Sequence, residues 1–381
     1  MKVLIAGGGI AGLFLCYELA RRGIPSQVYE KCHQFGHVGG GLTLKSPALR
    51  ALEAGGLAEA VRKRGLPMRC HEILDSAGER LGLIDFEPLY RQGMAEGVMI
   101  HRAAFHEALL SALPQGSLTL GAAVDRIRVG EDGVEVHVDG VGSVSADVLV
   151  GADGLHSRVR ELGFDSTPHP LGFRSYRWVV PNVGADHFRE FMGLGMSLGC
   201  IPLSAEELFL WLSAHARPGD PDPSRDLDGF KALMAQFTHP VVVEAQKGLT
   251  SSDQVLCTDI HEVTMEEYFN GRCVLIGDAA HAMSPSMGTG AAMAMGDALI
   301  LAEELDRVNQ GQADYPEAFS SFYDRRMPKV EAMRALTRAV DAEHHAHHPS
   351  VVKRRNLRIA AWLNDTLRVQ EDLLHSLGGE L

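Results

Sequence analysis

The ten residues Val3-Leu4-Ile5-Ala6-Gly7-Gly8-Gly9-Ile10-Ala11-Gly12 constrain the fold of this chain more than any other stretch. The apolar run Val3 to Ala6 reads as a fully buried strand. Ala11 to Arg22 reads as a helix that Gly23 stops. Ser26 to Glu30 then reads as a second strand, so the chain opens strand–helix–strand, which favours a parallel sheet with crossover helices. In such a turn Gly7 permits the tight bend, Gly9 lets the backbone approach a pyrophosphate, and Gly12 lets the helix pack close to the strand. Unpaired N–H groups at the helix start would face the phosphate charge. Glu30, ending the second strand, can accept hydrogen bonds from both ribose hydroxyls of an adenosine and would repel a 2′-phosphate. Lys31 follows it and joins the expected cofactor-binding set. The motif predicts a bound dinucleotide but does not separate FAD from NAD.

With 381 residues, 45% of them hydrophobic, the chain can bury a sizeable core in one large or two moderate domains. The net charge of −13 argues against a nucleic-acid partner, which needs a basic face, and gives no attraction to anionic lipid. The six cysteines form no C-x-x-C pair, so a zinc site or dithiol is not expected. No secretory leader is recognised, and the expected location is the cytoplasm. The N-terminal apolar run is too short to span a bilayer, and Gly277 to Leu301 carries Asp278, His281 and Asp297; stable membrane insertion is not expected. A monomer or homodimer is expected.

Further along, Leu118 to Val150 shows period-two runs such as Val134-Glu135-Val136-His137-Val138, with Asp132-Gly133 and Asp139-Gly140 as turns, and predicts an inserted meander before the sheet resumes at Val148. A strand-rich block runs from Phe173 to Val263, broken by the loop Arg217 to Pro223. The sheet returns at Cys273 to Ile276, and from Gly290 onward the pattern is helical. The chain thus reads as α/β: a doubly wound Rossmann-type domain (residues 1–70, 98–165 and 266–325), interrupted by a mostly antiparallel β-sheet substrate domain (71–97 and 166–265), with a helical C-terminal segment (326–381).

Two more glycine-centred segments specify the cofactor. Gly151-Ala152-Asp153-Gly154 is followed by Ser157 and Arg160, and Gly277-Asp278-Ala279-Ala280-His281 by Pro285, Gly288, Gly290 and Asp297-Ala298. In this order, with the first motif, they resemble the fingerprints of the single-component FAD-dependent aromatic hydroxylases, the p-hydroxybenzoate hydroxylase class. The resemblance runs from Met1 to about Leu305. Independently of it, Asp278 follows a buried strand, at the carboxyl end where α/β ligands bind, and is suited to accept a ribityl hydroxyl proton. A helix starting near Gly288, Gly290 and Ala291 would aim N–H groups at the flavin pyrimidine edge. Helix capping is the competing reading for Asp153 and Asp278. The resemblance implies that Pro285 lies beside the isoalloxazine, that Gly39-Gly40-Gly41-Leu42-Thr43-Leu44 is the strand next to the flavin, that Arg102 contacts the cofactor, and that Ala122-Ala123-Val124 meets adenine. The third motif departs from the family's E-D-A at Gly296-Asp297-Ala298, and Thr43 stands where a pyridine-type relative carries a base.

The resemblance further implies reduction of FAD by NADH or NADPH, then reaction with O2 through a C4a-hydroperoxyflavin that hydroxylates a small aromatic substrate. Substrate contacts are expected from the middle strands: Thr43, Tyr176, Arg177, Met196, Cys200 and Trp211, with simple packing as the competing role. His215 is a candidate base for deprotonating a phenol, since its pKa suits neutral pH. Arg174 to Pro181, Gly41 to Thr43 and Gly290 to Ala294 look most like alkylquinolone 3-hydroxylases; salicylate-, hydroxynicotinate- and urate-type hydroxylases share the frame. His344, His345, His347 and His348 read as a solvated inter-helix loop rather than a metal site, and Lys353-Arg354-Arg355 as one helix face. Leu357 to Leu377 has helical apolar spacing and is placed over the substrate pocket or on the cofactor domain. A flavin reductase of isoprenoid double bonds and a flavin-binding protein without hydroxylase activity fit the same motifs.

Overall fold

The structure is a computed structural model that describes residues 1–36, 40–217 and 219–377. A six-stranded sheet follows the order Phe269–Asn270, Cys273–Leu275, Val148–Gly151, Val3–Ala6, Ser26–Glu30, Leu118–Leu120. Its pairs are parallel except for the edge hairpin at Phe269–Asn270. All four residues of Val3–Ala6 are buried, as a parallel strand covered on both faces must be. The helix Ile10–Arg21 covers one face with Leu13, Phe14, Leu15 and Leu19, and Gly23 (φ 71°) lets the chain turn back. From Val3–Ala6 the chain adds strands first on one side and later, at Val148–Gly151, on the other. That reversal opens a crevice at the carboxyl ends of these two strands. The expected meander is present: Val124–Val129, Val134–Val138 and Gly142–Ala146 form a separate antiparallel sheet.

A seven-stranded sheet roofs the crevice. Its order is Leu256–Glu262, His169–Pro181, Glu207–His215, Met196–Pro202, Phe188–Met192, Cys70–Asp75, Arg80–Asp85. Every pair is antiparallel except Phe188–Met192 with Cys70–Asp75. The outer face carries Tyr176, Trp178, Cys200, Leu210 and Leu212, packed on Phe230, Phe237 and Val242 of the helices Leu227–Leu233 and Pro240–Ala245 and their connection. The inner face carries Phe188, Met192, Ile201, Phe209 and Trp211. At one end Leu363 and Val369, from the helices Pro349–Asn364 and Thr366–Leu377, close over this inner cluster. A side chain at Gly82 would collide with Leu363, so this edge strand meets the helix by backbone.

The helix Gly290–Asn309 packs beside Ile10–Arg21, and the helix Tyr315–His344 runs back from the nucleotide sheet to the roof. It passes through 325/326, so the boundary expected there falls inside one continuous helix. Among the described residues no helix is long and apolar enough to cross a membrane.

Candidate active site

The glycine turn separates glycines that the fold requires from one that it does not. At Gly7 (φ 107°) an added Cβ would lie 2.4 Å from the Ala152 carbonyl oxygen, and at Gly12 it would lie 2.0 Å from the Gly7 carbonyl oxygen. Both are fixed by the chain's own packing. Gly9 has φ −78° and ψ −175°, open to any residue, and among the described residues its Cβ would meet nothing within 4 Å beyond its chain neighbours. The space beside it faces a pocket of about 220 Å³ lined by Gly7, Gly9, Glu30, Lys31, Ala122, Ala123, Val124, Ala152, Asp153 and Gly154, with His156 and Arg158. These residues fit the adenosine and pyrophosphate of a dinucleotide: glycine backbone and a helix start for phosphate, a carboxylate for ribose, small residues for adenine. The pocket therefore gathers Gly7, Gly9, Glu30, Lys31, Val124 and Asp153 from the expected set. His156 and Arg158 join it without a motif to announce them.

Two carboxylates also hold the chain. Glu30 accepts from Gly8 N–H (Oε2, 2.6 Å) and Cys32 N–H (Oε1, 2.9 Å), which ties the turn to the second strand. Asp153 accepts from Ser157 Oγ (2.5 Å), Arg158 N–H (2.7 Å) and Val159 N–H (3.1 Å), capping the helix Arg158–Gly163. Its direct role is thus the capping one, because these bonds turn the carboxylate toward its own backbone. Arg160, buried, donates to Leu155 O (2.6 Å) and Ala279 O (2.8 Å) and so joins the second motif to the third.

In the third motif Gly277 (φ 60°) turns the chain into Asp278–His281. Asp278 has no capping bond there, and its side chain is open to the crevice although walled by protein. Burial holds its carboxyl above the usual range while His281 and Arg102 pull it down. Arg102 is exposed, makes no side-chain hydrogen bond among the described residues, and faces both Asp278 and Arg177 electrostatically. Thr43 Oγ1 would lie 3.0 Å from a Cβ at Gly288, and Lys45 Nζ donates to Met287 O (2.8 Å), so the strand Gly41–Leu44 is seated against the Pro285–Met287 turn. Gly290 starts its helix in open space, with Ala291 beside it. These residues make one surface suited to a flavin ring: backbone N–H at a helix start, a carboxylate for a hydroxyl chain, and a proline turn across the way. Gly40 and Gly41 touch Phe209, which sets the roof directly on this strand; Gly39 lies outside the described residues.

Asp297 anchors the surface from below. It accepts from Gly277 N–H (2.8 Å), His281 Nε2 (2.5 Å) and Arg326 Nε (2.7 Å). Burial opposes its charge, but His281 and Arg326 prevail and hold the carboxyl at about 2. Gly296 has its physical reason here, since a side chain would stand 2.9 Å from the Arg326 guanidinium. Arg326 was invisible to motif reading, as its partner is remote in sequence.

The roof sorts the expected substrate residues by face. Arg177 and Trp211 are register partners on the inner face; Arg177 donates to Thr258 Oγ1 (2.7 Å), and the indole of Trp211 lies over Gly199. Tyr176 and Cys200 do not face the crevice. They are 2% and 0% exposed in the outer core, with Tyr176 against Phe230, because neighbouring strand residues point to opposite faces. Met196 borders the same outer core. His215 is exposed at its strand end against the His347 ring, away from the crevice groups, and the solvated reading replaces that of a base. The histidine loop is corrected in the opposite sense: His344 is buried, and His345 bonds Ser213 Oγ (2.8 Å) with burial and His344 pushing its pKa down to about 4. Arg355 is likewise interior, donating to Met192 O and Gly193 O. A separate trio, Asp125, His137 and Asp139, gathers within 4.8 Å on the meander, but Arg126 and Arg158 already supply positive charge to Asp125.

The family described as FAD binding domain matches residues 1–337. Aurachin C monooxygenase/isomerase of Stigmatella aurantiaca is 32% identical over 337 residues, 87% of this chain and 86% of that protein. The 2-heptyl-3-hydroxy-4(1H)-quinolone synthase of Pseudomonas aeruginosa strain UCBPP-PA14 is 32% identical over 319 residues, 79% of this chain and 80% of that protein. Among solved structures, HpxO of Klebsiella pneumoniae complexed with FAD and uric acid superposes with a TM-score of 0.89 at 21% identity, covering 99% of this chain and 96% of that one. The match over residues 1–337 spans the glycine turn, the capped Asp153 loop and the Asp278 surface together: the chain belongs to the family of FAD-dependent aromatic hydroxylases, and FAD is its cofactor.

Proposed function

We propose that this chain hydroxylates a heteroaromatic ring of the 4-quinolone class, at the carbon next to the carbonyl carbon, with NADH or NADPH as electron donor and O2 as oxidant. The observation that carries this reading is the inner face of the roof. Phe209, Trp211, Ile201, Leu203, Phe188 and Met192 form an apolar ceiling whose Phe209 and Leu203 meet the Gly41–Leu44 strand, with Arg177 and the Glu190–His71–His344 group as its polar members. An apolar, two-ring substrate with one polar edge suits such a wall. The relative named 2-heptyl-3-hydroxy-4(1H)-quinolone synthase agrees with that class.

Bound FAD supplies transfer of one oxygen atom of O2 to the ring. The residues do the rest. The helix start at Gly290 offers N–H groups to negative charge on the flavin, and Asp278 accepts a hydroxyl of its side chain. Pro285 and Thr43 bound the ring edge, where excluding water matters for coupling. Trp211 and Phe209 stack or edge the substrate, and Arg177 with Arg102 places positive charge toward an anionic ring oxygen. We read the protein as a monomer or homodimer of the cytoplasm.

The test is anaerobic reduction of the yellow protein by NADH and by NADPH, with and without 2-heptyl-4-quinolone, 3-hydroxybenzoate and urate, followed by O2 and mass analysis. Quinolone-accelerated bleaching and a product heavier by one oxygen atom support the reading. Acceleration by 3-hydroxybenzoate or urate alone moves the substrate class, and bleaching with no oxygen insertion into any probe sinks the monooxygenase reading.

A further inference from the structure

One buried polar constellation on the inner face is not used by cofactor binding. Glu190, 7% exposed, lies with Oε1 3.0 Å from His344 Nε2 and Oε2 3.1 Å from His71 Nε2. Burial opposes its charge, but His344 and His71 outweigh it and hold the carboxyl well below the usual range. An ionised carboxylate only accepts, so His344 presents Nε2–H to it, and in the neutral imidazole the nitrogen that carries the lone pair is Nδ1. Nδ1 is buried, with no hydrogen-bond partner among the described residues, on a residue only 4% exposed. Native interiors rarely leave such an acceptor unpaired without a functional reason.

Its position is also informative. One turn earlier on the same helix, Asp341 accepts from Ser284 Oγ (2.7 Å) and Ser286 Oγ (2.5 Å), the residues flanking Pro285. The Trp211 ring stands 6.3 Å from the His344 ring. Lys45, on Met287 O, faces Glu190 and His71 from the flavin side. The charged and titratable groups around His344 are therefore Glu190, His71 and Lys45 from three strand segments, Asp341 and His345 from its own helix and turn, and Arg355, which faces Glu190 from the following helix.

We propose that His344 is the catalytic base of this enzyme, with Glu190 and His71 as positioning residues. Resting on the hydroxylase reading above, the step is one proton transfer. Once substrate entry has uncovered Nδ1, the ring O–H or N–H of the substrate breaks heterolytically, the proton bonds to His344 Nδ1, and the electron pair stays on the substrate, enriching the carbon to be hydroxylated. The imidazolium so formed lies against the Glu190 carboxylate, as a carboxylate orients a catalytic histidine elsewhere. The proton returns when product rearomatises.

The test uses the FAD-loaded full chain and 2-heptyl-4-quinolone. His344→Gln should lower kcat for hydroxylation about 100-fold or more and divert O2 to hydrogen peroxide while the protein keeps its FAD. Glu190→Gln should give a smaller loss of the same kind. In His344→Ala, added imidazole should restore product. The wild-type product rate should fall on its acid side, because a protonated base cannot accept a proton, and that limb should vanish in His344→Gln. Wild-type-like hydroxylation by His344→Gln overturns the proposal, and if the variants do not fold, a wild-type profile without an acid limb overturns it. A wild-type protein that inserts oxygen into no probe defeats the hydroxylase reading first, before any variant is compared.

Discussion

Replacing Gly9 by valine should separate cofactor binding from folding. Gly9 already has φ −78°, which valine adopts without strain, and among the described residues no atom beyond its chain neighbours lies within 4 Å of its Cβ position. Two effects on the FAD-free fold oppose each other: a less flexible unfolded chain favours folding by about 0.4–1 kcal/mol, and loss of glycine at a helix N-cap costs roughly 0.5–1 kcal/mol. FAD-stripped Gly9→Val should therefore melt within about 1 kcal/mol of FAD-stripped wild type. The added methyls enter the space where the backbone must approach pyrophosphate. If the wild type is saturated at about 100 times its dissociation constant, the holoprotein carries about 2.7 kcal/mol of ligand stabilisation, and the variant should lose most of it. The assay pairs flavin absorbance after purification with thermal melts of stripped and FAD-supplemented protein. Gly12→Ala is the control: its Cβ would stand 2.0 Å from the Gly7 carbonyl oxygen, so its stripped protein should itself be destabilised. A yellow Gly9→Val with full FAD content refutes the cradle; a stripped Gly9→Val that melts far below wild type refutes the claim that only a ligand requires this glycine.

Asp153→Ala should cost about 1 kcal/mol in melting through the lost helix cap and weaken FAD retention only as the loop loosens; loss of FAD at unchanged stability would restore a direct cofactor role. Tyr176→Phe and His215→Ala should leave KM and kcat for the aromatic substrate within twofold, because one lies in the outer core and the other at an exposed strand end; a tenfold change in either constant would return that residue to the site. Asp297→Asn leaves Arg326 buried without its counter-charge and should cost about 3–5 kcal/mol, read by denaturant melts. The folded carboxyl at about 2 lies below its ordinary 3.8, so the unfolded chain binds the extra proton in this window and stability falls with pH there. The slope of wild-type stability between pH 4 and 2 should be shallower in Asp297→Asn, and an identical slope would contradict the ion pairing.

What could be read before folding was whatever the chain states locally. The strand–glycine–helix turn, the end of the second strand at Glu30 and the meander at Val134 carry their reasons within a few residues, and the structure has them at those places. Strand alternation carries less. It says that Tyr176 and Arg177 face opposite sides, so both could not contact one substrate, but not which side is the crevice. That is decided by what packs on the sheet, namely Phe230 and Phe237 on one face and Gly40 and Gly41 on the other.

The helix Tyr315–His344 shows the remaining gap, and its signal was present in the spacing. Arg326, Val330, Arg334, Thr337, Asp341 and His344 recur at intervals of three and four and are all buried, so a single helix stripe, mostly polar, faces the interior. Read for hydrophobicity the stripe looks like a solvated face, because every partner is remote in sequence. Arg326 meets Asp297, Arg334 donates to Val263 O, Asp341 takes Ser284 and Ser286, and His344 reaches Glu190. In that order the partners run from beneath the flavin surface, past the proline turn, to the roof. A rigid helix with one end fixed by a buried ion pair and the other by a carboxylate–histidine pair sets the distance between cofactor floor and substrate ceiling. Its polar residues hold the two reacting halves of the site in register, which an apolar stripe free to slide would not do.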